Sequence, residues 1–306
     1  KQSLLANSIA NIVNTFGFNS FNSQRSDNSF NSLNKIITTF MKKLILSLIA
    51  LLCLTTVQAA EQFVSFVKQT DAINITNATI GYSENEYEGV KIAIKNLQTD
   101  MQNVLGKTPA LVEKEGGAAT ILVGTIGKNK AIDALKLADL KGKREKFIIT
   151  TTPEGQVVIA GSDKRGTIYG VYELSRQLGV SPWYWWADAP IEKQSEAYIL
   201  KGTYTDGEPA VEYRGLFLND EAPCLTSWVK NTWGTNYGDH RFYARVFELI
   251  LRLRGNMLWP AMWSWAFYAD DPENGPTADK MGVIISTSHH EPMARNHQEY
   301  ARKRGE

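Results

Sequence analysis

The run Gly215-Leu216-Phe217-Leu218-Asn219-Asp220-Glu221-Ala222-Pro223 decides how the chain is read. Its apolar half has the composition of a buried strand, and it stops abruptly in an amide and two carboxylates. Parallel barrels assemble their sites from polar residues delivered in this way at the C-terminal ends of strands. Two later stretches repeat the design: Asn256-Met257-Leu258-Trp259-Pro260, and Val283-Ile284-Ile285 running into Ser286-Thr287-Ser288-His289-His290-Glu291-Pro292. The pattern predicts strands over Tyr213 to Leu218, Gly255 to Trp259 and Val283 to Ser286. Between them Arg241 to Arg254 reads as the first well-formed helix, with Val246, Leu249, Ile250 and Leu253 on one stripe and Gly255 at its end. Another helix begins over Pro292 to Arg302.

Upstream, residues 61–205 alternate between strand-like and helix-like text. Phe63 to Val67, Ala119 to Gly124, Phe147 to Thr150 and Gln156 to Gly161 read as strands, the last two joined by a turn at Pro153-Glu154-Gly155. A helix starts near Glu86, carries Val90, Ala93, Ile94, Leu97, Met101 and Val104 on one stripe, and stops at Gly106. A second runs from a cap at Ser162 or Asp163 to Gly179, and its Gly166 and Gly170 permit close packing on a sheet. Ile199 to Tyr204 and Asp206-Gly207-Glu208-Pro209 read as a linker. The alternation predicts the α/β class: a small amino-terminal α/β domain over 61–205, then over 206–306 a parallel sheet, either open and doubly wound or the first strands and helices of a truncated (β/α)8 TIM barrel. A complete barrel takes ~250 residues, and only about 100 follow the linker.

The chain has 306 residues, 43% of them hydrophobic and 21% charged, with a net charge of +1. That balance offers no electrostatic case for nucleic acid. Residues 1–40, rich in Asn and Ser without periodicity, read as an extraneous extension. Residues 41–60 have the form of a signal peptide: Met41-Lys42-Lys43, an apolar run from Leu44 to Val57, and small residues at Ala59 and Ala60. The run is shorter than a membrane span needs. The mature chain is expected in the periplasm or outside the cell, with no membrane attachment. Cleavage would leave Cys224 alone, which excludes an internal disulfide.

Successive side chains on an extended chain face opposite ways, so Asp220 and Glu221 are not expected to line one pocket together. A binding role comes first for them, gripping a hydroxyl; the alternative is a carboxylate that holds a neighbouring Arg or caps a loop. His289-His290-Glu291 lacks the spacing of a metal site, and no cofactor or metal is expected. Trp259 and Trp263 either floor a sugar subsite or pack the strand ends. No nucleophile elbow is present. Trp183-Tyr184-Trp185-Trp186 is read either as a packed junction or as a sugar-stacking platform.

Phe217 to Pro223, Leu253 to Trp263 and Thr287 to Met293 together resemble glycoside hydrolase family 115, as do Asp163-Lys164-Arg165-Gly166 and Ser181 to Asp188 upstream. The resemblance spans about Gln62 to Gly305. It implies an inverting α-glucuronidase that removes glucuronic acid or its 4-O-methyl ether from xylan, with further domains after the barrel and commonly a homodimer. By motif position it implies that Asn219, Asp220, Trp259, Trp263, His289 and Glu291 line the uronate pocket, with glucuronoxylan as partner. It places the general acid and base on later strands, beyond Glu306, so the chain alone is expected to be inactive. The rival readings are a hexosaminidase-like glycoside hydrolase and a non-catalytic carbohydrate-binding fragment.

Overall fold

The computed structural model describes residues 61–113, 119–260, 264–286 and 297–302. The extension and the signal-like segment fall outside the described residues, and residues 60–306 cluster as one unit.

Its first part contains β1 (Val64–Ser65), β2 (Ile73–Asn74), β3 (Thr79–Tyr82), α1 (Glu88–Leu105), β4 (Ala110–Glu113), β5 (Ile121–Thr125) and α2 (Lys130–Ala134). A short 3-10 turn at Ala138–Leu140 leads to β6 (Phe147–Thr151), β7 (Val157–Gly161), α3 (Lys164–Gln177), β8 (Tyr198–Ile199) and β9 (Thr203–Tyr204). Six strands form one sheet in the order β4-β3-β5-β7-β6-β9. The first four are parallel, and β6 pairs antiparallel with both β7 and β9.

Every residue of β5 and β7 is buried. Alternate side chains divide between two cores: Ile121, Val123, Val157 and Ile159 face α1 and α3, whereas Leu122, Val158 and Ala160 pack with Ile132 and Leu140. A strand covered on both faces gains from apolar residues at every position, which is why these segments read as unbroken apolar runs. The stripe expected on α1 is buried throughout, and Gly106 closes the helix in the left-handed region at φ 69°. Asp163 caps α3 by accepting from the Gly166 amide at 2.8 Å. A Cβ on Gly166 would stand 2.4 Å from the Lys146 carbonyl oxygen, so only glycine lets α3 seat against the β6 strand entry.

The expected linker is not a free connection. Residues 198–199 form the centre of a small antiparallel sheet between β1 and β2, and residues 203–204 extend the main sheet. Strands of two residues leave almost no periodicity to read, and their partners lie more than fifty residues away in the chain for β9 and more than a hundred for β8.

The second part contains β10 (Gly215–Phe217), α4 (Cys224–Trp233), α5 (His240–Arg252), β11 (Met257–Trp259), α6 (Phe267–Asp270), α7 (Asn274–Met281), β12 (Ile284–Ile285) and α8 (His297–Arg302). The three strands are parallel in the order β10-β11-β12. Helix α5 buries Phe242, Val246, Phe247, Leu249 and Ile250 beneath them. The expectation that β10 is buried is corrected: Leu216 is 41% and Phe217 47% exposed. Among the described residues β10 is an edge strand with one neighbour. Among the described residues no helix is long and apolar enough to cross a membrane.

The two parts meet through buried ion pairs and hydrogen bonds at the N-terminal ends of the three strands. Fully buried Glu145 accepts from Arg165, Arg214 and the Asn256 side-chain amide. The Tyr169 hydroxyl donates to the Gly255 carbonyl at 2.9 Å, and Arg165 reaches the Gly282 carbonyl at 3.3 Å. On the flank, Arg252 is buried between Asp100, at 2.9 Å, and Glu248, also at 2.9 Å.

Burial alone would raise the Glu145 pKa. Hydrogen bonds from Asn256 and Arg214, with the charge of Arg165, more than reverse that and hold the carboxyl below its usual value. A carboxylate with a depressed folded pKa contributes stability above its unfolded pKa and loses it as pH falls through the folded one. The chain is therefore expected to lose stability as pH drops from about 4.3 through the lower folded value. Glu145→Gln should flatten that part of the curve of urea midpoint against pH, and an unchanged slope would refute the assignment.

Candidate functional site

The parallel register sets the three strand ends side by side. Phe217 lies opposite Trp259, and Leu258 opposite Ile285. The ladder continues past the strands, with the Leu218 amide donating to the Trp259 carbonyl at 2.8 Å and the Ser286 amide to the Leu258 carbonyl at 3.0 Å. The rings of Phe217 and Trp259 meet near edge-on, with centroids 5.1 Å apart.

Beyond β10 the side chains alternate as extended backbone requires: Asn219 and Glu221 are exposed, and Asp220 between them is 1% exposed. The Asn219 side-chain oxygen accepts from the Glu221 amide at 3.3 Å, which turns the loop. Asp220 points inward. Its Oδ2 accepts from the Ser264 amide at 2.8 Å, the Trp265 amide at 2.9 Å and the Ser264 hydroxyl at 3.3 Å. Of the two readings of this carboxylate, the loop cap describes these contacts.

Ser264 is a node. Its carbonyl accepts from Arg302 at 3.2 Å, and Arg302 also pairs with Asp270, whose other oxygen takes the Ala266 amide at 2.6 Å. The Trp265 indole donates to the Asn236 carbonyl at 3.0 Å, reaching the α4–α5 connection. One polar chain thus links the segments that follow β10, β11 and β12. Sequence reasoning missed Ser264, Asp270 and Arg302, because a serine amide or a loop aspartate carries no pattern until its partner is known.

Asn219 and Trp259 therefore stand at the strand ends, and Asp220 stands behind them. Trp263, His289 and Glu291 lie outside the described residues. Among the described residues no group of three or more His, Cys, Asp or Glu side chains is placed to share a metal ion. What the arrangement offers chemically is an exposed amide and carboxylate on a rim, an aromatic pair, and loops fixed from below.

Residues 57–174 match the family model described as Glycosyl hydrolase family 67 N-terminus, and residues 206–306 match Glycosyl hydrolase family 115. With parallel strands presenting polar loops at one end, these matches define the chain as a glycoside hydrolase sequence. The solved structure of a family GH115 4-O-methyl-α-glucuronidase, BtGH115A, with specificity for decorated arabinogalactans, is similar at 37% identity and TM-score 0.66, over 76% of this chain and 30% of that one. More particularly, the match over residues 206–306 and this likeness support a family 115 fragment, and the chain spans 30% of the length of that relative. A Flavobacterium johnsoniae chitobiase (12% identity, 73% of this chain and 33% of that one) and a Streptomyces plicatus N-acetyl-β-hexosaminidase (14%, 71% and 42%) each give a TM-score of 0.46, too low to carry an argument. No curated protein matches.

Proposed function

We propose that the chain belongs to an exported, inverting α-glucuronidase that releases glucuronic acid or its 4-O-methyl ether from plant polysaccharide, xylan being the backbone the sequence motifs favour. The 37% identity to a 4-O-methyl-α-glucuronidase, over 76% of the chain, is the observation that carries this reading. The same relative acts on decorated arabinogalactans, which makes an arabinogalactan backbone the second reading.

In this proposal Asn219 and Trp259 form one wall of a uronate pocket to which Trp263, His289 and Glu291 also belong. Asp220 serves by holding the Ser264–Trp265 turn in place. Inversion needs two carboxyl groups ~6.5 to 9.5 Å apart with sugar and water between them. Among the described residues the strand ends supply Glu221, exposed, and Asp220, committed to a loop. We propose further that the chain alone binds acidic glycan without cleaving it.

The test is to incubate the chain with glucuronoxylan and with uronate-decorated arabinogalactan, measuring both released 4-O-methylglucuronate and equilibrium binding. Saturable binding without release is expected, and the preferred polymer names the backbone. Robust release would overturn the assignment of the acid and base to residues outside this group. Failure to bind either polymer would overturn the glycan reading itself.

A further inference from the structure

We propose that the tryptophan surface formed by Trp183 to Trp186 together with helix α4 is an accessory site for the main chain of a uronate-bearing polysaccharide. It is distinct from the strand-end loops, and its choice of ligand rests on the α-glucuronidase reading. Trp185 and Trp186 lie 4.9 Å apart between ring centroids, and two indoles from α4 complete the cluster: Trp228 is 5.6 Å from Trp186, and Trp233 is 5.7 Å from Trp185. The inner edges of Trp186, Trp228 and Trp233 rest on buried Phe242, at 6.2, 6.4 and 5.6 Å. That contact explains why the cluster is anchored. It does not explain why the cluster is open on its outer side.

Trp183 is 45% and Trp228 38% exposed, and none of the five tryptophans from Trp183 to Trp233 is fully buried. Large apolar rings left in water at one place mark an interaction surface. Its chemistry is that of a sugar site. Indole faces take the apolar faces of pyranose rings, and an indole N–H can donate to a hydroxyl. The Trp186 N–H is committed to the Arg245 carbonyl at 3.3 Å. Among the described residues those of Trp185, Trp228 and Trp233 have no protein acceptor.

Arg245 supplies the selectivity for acid. Its guanidinium lies 5.2 Å from the Trp185 ring centroid, and its side chain is 42% exposed. It is paired on one side with Glu248 at 3.2 Å, which leaves donors of the planar fork for a carboxylate. A second copy of the chain or a peptide could use the rings, but a cation stacked among indoles fits a chain of sugars that carries uronates. The surface is also continuous with the candidate site: α4 begins at Cys224, immediately after the Asn219–Pro223 loop, so one polymer can pass from the strand ends onto it.

The experiment is a fluorescence titration of the whole chain with 4-O-methylglucuronoxylo-oligosaccharides and, separately, with neutral xylohexaose. The acidic ligand is expected to quench indole emission. Trp228→Ala should weaken it about fivefold. Arg245→Ala should abolish the preference over the neutral ligand. Circular dichroism and sedimentation of each variant accompany the titration. Quenching that survives Trp228→Ala overturns the proposal and leaves the enzyme reading intact. So does a concentration-dependent dimer in the parent that Trp228→Ala dissolves, which would make the surface an interface between copies. Quenching by acidic arabinogalactan oligosaccharides alone supports the surface while rejecting xylan as the backbone.

Discussion

Arg252→Ala is expected to lower the free energy of unfolding by about 3 to 5 kcal/mol, because it leaves a buried carboxylate without its counter-ion. Arg252 is 7% exposed and Asp100 1% exposed. The guanidinium donates to both Asp100 oxygens, at 2.9 and 3.3 Å, and to Glu248 at 2.9 Å, while Tyr172 and Tyr184 lie at 4.5 and 5.0 Å. Burial is the largest influence on Asp100 and raises its pKa in spite of the arginine, as expected of a charge with little access to water. Breaking such a pair from one side is far more damaging than removing both partners. The double variant Asp100→Leu, Arg252→Met should therefore lose clearly less than Arg252→Ala. Urea unfolding of the three proteins decides it: a loss under about 1 kcal/mol in Arg252→Ala would mean the pair behaves as a surface ion pair.

The second large effect falls on the candidate site. Asp220→Ala removes the acceptor for two backbone amides, one of them on Trp265, which is 2% exposed. A buried donor left unsatisfied costs about 1 to 3 kcal/mol, and the Trp265 amide is buried while the Ser264 amide is only part-buried, so a loss of about 2 to 4 kcal/mol is expected. Released from its cap, the Ser264–Ala266 turn should also let the strand-end wall shift, and affinity for acidic oligosaccharides should fall together with stability. Glu221→Ala one residue later, on the exposed side of the loop, should stay within about 0.5 kcal/mol of the parent. Matching losses in the two variants would show that the inward and outward carboxylates are equivalent, contrary to the geometry.

The parts of the fold legible in the sequence were those whose periodicity is imposed by one uniform surface. Helix α1 shows a full stripe because one face along its length is buried in the core shared with helices α3 and α7 and the sheet, and β6 and β7 announce themselves by apolar runs flanking a Pro-Glu-Gly turn. Helix α4 was not foreseen. It follows Pro223 without a side-chain cap, and its ten residues carry three hydrophobic ones in addition to two tryptophans, a composition as suited to a loop as to a helix. Helix α7 was hidden by Gly275 and Pro276 in its first turn and also lacks a side-chain cap. The positions of the strand ends could be read because each apolar run stops at a polar cluster. The direction in which Asp220 points could not, since it depends on Ser264 and Trp265, forty-four and forty-five residues further on.

Among the described residues, hydrogen bonds from the small α/β domain reach the three strands at their N-terminal ends. Arg214 precedes β10, Gly255 and Asn256 precede β11, and Gly282 precedes β12; each is gripped by Glu145, Arg165 or Tyr169. The loops offered to a ligand are at the opposite ends of the same strands. The residues that join the two parts are consequently different from those on the rim, so substitutions in the foundation are expected to change heat tolerance while leaving the rim side chains as they are.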